Sequence, residues 1–97
     1  MQKQWYVYIL ASKKGWVLYV WVTSDLLKRI YQHKNNTYEW FSNKYFVKRL
    51  VYYEIHPNIE SAIFREKQIK AWNRKKKIEL IESNNKEWND LYDGLLS

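Results

Sequence analysis

Cysteine is absent from this 97-residue chain, and glycine and proline are scarce, with two residues and one residue respectively. Without cysteine there is no disulfide framework, no thiolate zinc site and no cysteine nucleophile. Two glycines cannot build a glycine-rich loop that cradles a phosphate. No apolar run reaches the roughly 18–20 residues of a membrane span, and the N-terminus lacks the pattern of a secretory signal peptide. We therefore expect a cytoplasmic protein.

Aromatic residues are abundant, with six Trp, nine Tyr and three Phe, and 46% of the chain is apolar. That content is enough to form a core, so it excludes a disordered chain. The length allows one compact domain and leaves no room for a second. We therefore predict one domain over residues 1–97.

Positive charge is concentrated in one segment of a chain whose net charge is +7. Between positions 65 and 77 seven residues are basic and one is acidic, whereas five acidic residues and one lysine follow from position 78. Such a stripe is the electrostatic footprint of a polyanion partner, although a solvated helix face has the same composition. The predicted nucleic-acid contacts are Lys67, Lys70, Arg74, Lys75, Lys76 and Lys77.

Two runs rich in β-formers, residues 5–10 and 17–22, predict a hairpin, and residues 50–55 predict a third strand. Because side chains alternate along a strand, the aliphatic residues of the hairpin share one face and the rings share the other. The ring face is either a functional surface bearing hydroxyl groups or an ordinary cross-strand aromatic cluster. Its members are Tyr6, Tyr8, Tyr19 and Trp21.

Helices are predicted at about residues 25–34, 59–72, 74–82 and 87–95, with an irregular connection over residues 35–48. Thr23 or Ser24 can cap the first helix and Asn58 the second. In the first helix, Arg29 and His33 are four residues apart and share a face.

Glu66 lies in the middle of the apolar stripe of the second helix. Carboxylates are seldom buried without a partner, so this position indicates a cation, a metal ion or a hydrogen-bonded network. The alternative is an edge position from which the carboxylate reaches water. The stripe consists of Ile59, Ala62, Ile63 and Ile69.

The two histidines, His33 and His56, are not spaced for a zinc site or for a hydrolase with a serine and an acid. The residues that remain suit phosphodiester cleavage. A carboxylate can hold a divalent cation, an arginine can stabilise charge on the phosphate, and a tyrosine can handle the proton of the attacking water.

Five motifs follow one another along the chain: YVYIL, LYVWVTSDLLKRIYQH, RLVYYE, ESAIFREKQIKAW and ESNNKEWNDLYD. Together they resemble a small stand-alone domain of the GIY-YIG endonuclease superfamily, over a core of about residues 5–93. The resemblance implies an α+β fold in which helices flank a three-stranded antiparallel sheet. It also implies metal-dependent hydrolysis of phosphodiester bonds in DNA, recognised by its structure rather than its sequence, with no membrane partner.

The resemblance also implies roles for individual residues. Glu66 would bind the divalent metal, Mg²⁺ or Mn²⁺, and Arg29 would bind the scissile phosphate. Tyr8 would act as a base or orient the water, while Tyr19 and His33 fix the geometry. The implied catalytic set is Tyr8, Tyr19, Arg29, His33, Glu66 and Asn85.

Three large rings depart from the family pattern: Trp21 replaces the glycine of the second signature triplet, and Trp40 and Phe46 replace smaller residues. Strand alternation places Trp21 on the face of Tyr19, where its indole could cover the site. Two alternatives to a nuclease therefore stay open. One is a catalytically impaired or engineered member that still binds nucleic acid, and the other is a variant that self-associates through the three rings.

Overall fold

A computed structural model describes residues 4–12, 17–35 and 47–96. Trp40 and Phe46, and most of the predicted connection over residues 35–48, lie outside this part of the chain. The predicted α+β class is confirmed, because helices flank a three-stranded antiparallel sheet. The elements are β1 (Trp5–Ser12), β2 (Leu18–Thr23), α1 (Leu26–Lys34), β3 (Val47–His56), α2 (Ile59–Ala71), α3 (Arg74–Asn84) and α4 (Tyr92–Leu96).

β1 is the central strand of the sheet, whose order is β2-β1-β3. It pairs antiparallel with both neighbours, and Tyr8 lies opposite Trp21 on one side and Tyr53 on the other. β1 is covered on both faces, and residues 7–11 are each at most 1% exposed. This burial explains why its sequence is a nearly continuous apolar run.

The two faces of the sheet carry separate hydrophobic clusters. α2 and α3 cover the aliphatic face, and α1 and α4 cover the ring face, as the alternation of the hairpin predicts. The buried residues of the aliphatic face are Val7, Ile9, Ala11, Val20, Val51, Tyr52, Ala62, Ile69 and Ile81. Those of the ring face are Tyr8, Leu10, Leu26, Ile30 and Leu50.

The N-termini of α1 and α2 are capped by side chains. Asp25 caps α1 by accepting a hydrogen bond from the backbone N–H of Lys28 at 3.1 Å. The expectation of Thr23 or Ser24 at this position is wrong, because Thr23 instead accepts from the N–H of Asp25 at 3.0 Å. Asn58 caps α2 as predicted.

The apolar stripe of α2 is narrower than its sequence predicts. Ala62 and Ile69 are fully buried, but Ile59 and Ile63 are 37% and 38% exposed. None of the helices in the three described ranges combines the length and the hydropathy that crossing a membrane requires.

The last predicted helix is much shorter than expected, because it begins at Tyr92 rather than near residue 87. Trp88 has φ +58°, a left-handed conformation that a helix cannot contain. The segment before α4 instead covers the edge of β3. The N–H of Leu91 donates to the carbonyl of Leu50 at 2.8 Å, and Asp90 accepts from the N–H of Leu50 at 3.3 Å. An edge strand paired in this way is protected from association with another chain.

Candidate active site

Tyr8 and His33 form the centre of the candidate site. Tyr8, in the middle of β1, is 0% exposed, and His33, near the end of α1, is 1% exposed. The Tyr8 hydroxyl and His33 Nε2 are 3.5 Å apart, at the outer limit of a hydrogen bond. Their rings meet edge to face, with centroids 6.4 Å apart. The fold therefore brings two polar side chains together inside an otherwise apolar cluster.

Both predicted site residues of α1, Arg29 and His33, lie at the candidate site. Leu26 and Ile30 are buried against the sheet, and His33 follows Ile30 by three residues, which puts it on the same side of the helix. Arg29 is half-buried one turn before His33. The positive charge of the Arg29 guanidinium lowers the pKa of both Tyr8 and His33.

The ionisation of the pair is governed mainly by burial. Burial raises the pKa of Tyr8 well above its usual value, and Arg29 offsets only part of that shift. Burial, together with the charge of Arg29, lowers the pKa of His33 to about 4. At neutral pH both side chains are therefore uncharged, and the positive charge beside them belongs to Arg29.

Trp21 covers this pair from the neighbouring strand. Its indole meets the His33 ring edge to face at 5.1 Å between centroids and lies tilted against Tyr19 at 6.2 Å. Trp21 and Tyr19 share the face of the sheet that Tyr8 occupies, as alternation predicts. Trp21 is partly buried and packs against this cluster.

Glu66 lies on α2, away from the Tyr8 pair. The helix packs through Ala62 and Ile69 against the aliphatic face of the sheet, whereas Tyr8 points to the ring face. The Glu66 side chain is 17% exposed, and its Oε2 lies 2.8 Å from the ammonium of Lys70. The structure thus brings Tyr8, Tyr19, Arg29 and His33 together and holds Glu66 on the helix across the sheet.

The Glu66 carboxylate is compatible with a divalent cation in one particular mode. Mg²⁺ commonly keeps several waters and binds through one or two carboxylates together with phosphates of the substrate. Within residues 4–12, 17–35 and 47–96, no group of three or more His, Cys, Asp and Glu side chains could hold a metal ion. Glu66 therefore supplies at most one carboxylate, and a cation there would need its other ligands from water and from a phosphate that reaches this face of the sheet.

The predicted basic stripe follows α2 and the start of α3. Trp72, which ends α2, lies beneath two cations, with Arg65 Cζ 5.1 Å and Lys76 Nζ 4.4 Å from its ring centroid. These contacts fix the junction of the two helices and place charge on both of them. The exposed members are Lys67, Lys70, Arg74, Lys75 and Lys76, and Lys77 is half-buried.

A polar network between β3 and α2 was not expected from the sequence. Glu54 accepts from the Tyr52 hydroxyl at 2.5 Å and from Arg65 Nε at 3.1 Å. His56 bridges Glu54 and Ser61, with Nε2 2.6 Å from the carboxylate and Nδ1 3.1 Å from the serine hydroxyl. The fold thus places His56 between a serine and an acid, a contact that the sequence spacing of the histidines did not indicate. Tyr52, Glu54 and His56 are two residues apart along β3, so strand alternation puts them on one face. This pattern in the sequence could have predicted the network.

The contacts of this network assign it to structure rather than to acyl transfer. The Ser61 hydroxyl donates to the carbonyl of Asn58 at 3.2 Å, which ties it to the helix cap. Burial favours a raised pKa for Glu54, but hydrogen bonds from Tyr52 and His56 and the charge of Arg65 outweigh it, so the pKa is lowered. A carboxylate stabilised in this way holds α2 against β3.

Asn85 has a structural role, because its side chain forms hydrogen bonds with backbone groups of two other segments. It is 5% exposed, and its amide nitrogen donates to the carbonyls of Val51 at 3.0 Å and Asn89 at 2.8 Å. Its side-chain oxygen accepts from the N–H of Asn89 at 2.9 Å. These bonds hold the segment before α4 against β3.

Replacing Asn85 with Ala should lower the free energy of unfolding by about 2 kcal/mol, because the buried carbonyl of Val51 and the part-buried backbone groups of Asn89 lose their partners. Urea denaturation measures the loss. Asn84→Ala is the matched control, since Asn84 is exposed on the last turn of α3. Equal stability of the two variants would contradict this structural role.

Comparison with known proteins agrees with this architecture. The family model of the GIY-YIG catalytic domain matches residues 4–79. The UPF0213 protein SSP2268 of Staphylococcus saprophyticus is 36% identical over 76 residues, covering 78% of this chain and 92% of that protein. The UPF0213 protein CPE1444 of Clostridium perfringens is 39% identical over 78 residues, covering 80% of this chain and 83% of that protein. The solution NMR structure of the UPF0213 protein BH0048 from Bacillus halodurans is similar with a TM-score of 0.58 and 29% identity, over 90% of this chain and 92% of that one.

Proposed function

Because the chain belongs to the GIY-YIG catalytic domain family, we propose that it hydrolyses phosphodiester bonds in DNA with the help of a divalent metal ion. The observation that carries this proposal is the convergence of Tyr8, His33 and Arg29 at the ring face of the sheet. Two uncharged groups that can bind a water molecule lie there within the field of a guanidinium. This arrangement suits the binding of a phosphate and the orientation of a nucleophile beside it.

Each residue has a role that follows from its surroundings. Arg29 binds the scissile phosphate. Tyr8 is protonated at neutral pH, and burial raises its pKa further, so it orients the attacking water rather than removing its proton. Neutral His33 fixes the Tyr8 hydroxyl, and Tyr19 lines the approach beside Trp21.

Glu66 is the residue that would hold Mg²⁺ or Mn²⁺. When bound, such an ion polarises the phosphate and lowers the pKa of a coordinated water. Lys70, which contacts Glu66 in this structure, would have to leave the carboxylate. The phosphate would also have to reach both Arg29 and Glu66, although their helices pack on opposite faces of the sheet. Asn85 is excluded from the proposed catalytic set, because its amide is committed to the fold.

The basic stripe supplies the affinity for DNA in this proposal. Lysines and arginines that contact phosphates bind without reading the sequence. The exposed cations of α2 and α3 therefore favour recognition of a DNA structure over recognition of a base sequence.

The test is cleavage of branched, single-stranded and duplex DNA by the purified protein with Mg²⁺ or Mn²⁺. Glu66→Ala protein, prepared identically, gives the background. We expect products from the native chain that are absent from the variant and from reactions with EDTA. Equal product from both proteins on every substrate would reject the proposal.

A second candidate is a nucleic-acid-binding protein without hydrolysis. It is favoured by Trp21, whose indole covers the Tyr8 and His33 pair, and by the exposed cations of α2 and α3. Its signature in the same experiment is DNA binding that weakens steeply with salt while no strand is cut.

A further inference from the structure

The indole N–H of Trp21 lies buried in the ring-face cluster. Its Nε1 atom has no hydrogen-bond partner in the described part of the chain, and it is shielded from solvent. An indole nitrogen can only donate, so nothing but an acceptor atom can satisfy it. Because most buried polar groups are paired, an orphaned donor indicates strain, a functional role or a missing ligand atom.

The contrast with Trp88 shows that the fold can pair an indole N–H elsewhere. Trp88 Nε1 donates to the carboxylate of Glu82 at 2.7 Å. Trp21 instead projects into the ring-face cluster beside His33. The Tyr8 hydroxyl and His33 Nε2 face each other, and neither accepts a hydrogen bond from the indole N–H.

The surroundings of Trp21 favour an anionic acceptor. Arg29 acts on both Tyr8 and His33, which places a positive potential at the pair that the indole covers. Tyr8 and His33 are both neutral at pH 7, so neither of them adds a negative charge there. An oxygen that carries negative charge gains from the guanidinium and from the indole N–H together.

We infer that the Trp21 indole N–H is a phosphate-binding group of this site, which donates to a phosphate oxygen attracted by Arg29. The identification of that phosphate as part of DNA rests on the proposed function. Trp21 then contributes to substrate binding through its nitrogen, and the ring moves enough on binding for the N–H to meet the oxygen. If the ring only obstructed the site, Trp21 would instead weaken phosphate binding.

The experiment follows the indole N–H directly. Protein labelled with ¹⁵N at the indole nitrogens is titrated with inorganic phosphate, at an ionic strength held constant with chloride. Trp21→Phe and Trp88→Phe variants assign the two signals. We expect the Trp21 indole proton to move downfield and saturate, while the Trp88 signal, already bonded to Glu82, stays in place.

Affinity gives the second readout. Trp21→Phe keeps an aromatic ring against His33 but removes the donor, so binding of phosphate and of a single-stranded oligonucleotide should weaken by about five- to ten-fold. Trp88→Phe should bind both as the native protein does. If Trp21→Phe fails to fold, the Trp21 indole signal is assigned from its nuclear Overhauser contacts with the His33 ring, and the titration of the native protein then decides the question.

Three results would overturn the inference: a Trp21 signal that stays in place while other signals saturate, the absence of phosphate binding, or unchanged or tighter binding by folded Trp21→Phe. The proposed function fails independently. Lack of cleavage with a Trp21 signal that moves would reject hydrolysis and keep the phosphate contact. Cleavage with a Trp21 signal that stays in place would keep the proposed hydrolysis and reject the phosphate contact.

Discussion

Replacing Arg29 with Gln should slow DNA cleavage by about 10²- to 10³-fold, the effect typical of removing a group that stabilises charge in a transition state. Arg29 is the cation whose charge reaches both Tyr8 and His33. Glutamine keeps hydrogen-bonding capacity but not charge, so the loss measures the electrostatic contribution. Initial rates with saturating DNA separate this loss from weaker binding.

Lys28→Gln is the matched control, because it removes the same charge from an exposed position one residue earlier on α1. Its rate should stay within about two-fold of the native rate, as surface charges contribute little. The variant Arg29→Gln should also raise the pKa of His33, since one of the two causes that lower it is gone. Equal rates for both variants would remove Arg29 from the mechanism.

Acidification should destabilise the fold between pH 6.5 and pH 4, with a loss of about 3 kcal/mol in the free energy of unfolding. The cause is His33, whose pKa falls from 6.5 to about 4 on folding. In that interval His33 is protonated in the unfolded chain but stays neutral in the folded chain. The stability is therefore fully present above pH 6.5 and is lost as the pH falls toward 4. Urea denaturation at pH 7, 6, 5 and 4 measures it.

His33→Gln should flatten this part of the pH profile, because the variant lacks the titrating ring. Glu54, whose pKa is lowered on folding, loses its contribution only as the pH falls below the usual range of a carboxyl. That loss is common to both proteins and cancels when they are compared. The same slope in both would show that His33 is not the residue responsible.

The sheet and its two faces were predictable because they depend on local pattern. Alternation in the hairpin placed Tyr8, Tyr19 and Trp21 on one face, and the register confirms it. The helix spacing placed Arg29 beside His33 in the same way. Asn58 was correctly expected to cap α2, since the cap is a bond within four residues.

The start of the last helix was not predictable, because the residues before it form hydrogen bonds with a strand that is distant in sequence. The helical spacing of the C-terminal apolar residues suggested a helix from residue 87, but Asn85 and Asp90 bond to β3 instead. These contacts join residues 34 and 40 positions apart. A local pattern does not contain such information.

The sequence alone determined the family-like order of motifs, the ring face and the basic stripe, because each depends on residue type and short spacing. Only the tertiary structure decided the state of the site. It buried Tyr8 and His33 together, and burial shifts both pKa values so that each side chain stays uncharged over a wider range of pH. It also placed the Trp21 indole over them, with an N–H that finds no acceptor within the described ranges, and held Glu66 on a helix that packs on the opposite face of the sheet. Desolvation and packing between distant segments set these properties, and neither can be read from a run of residues.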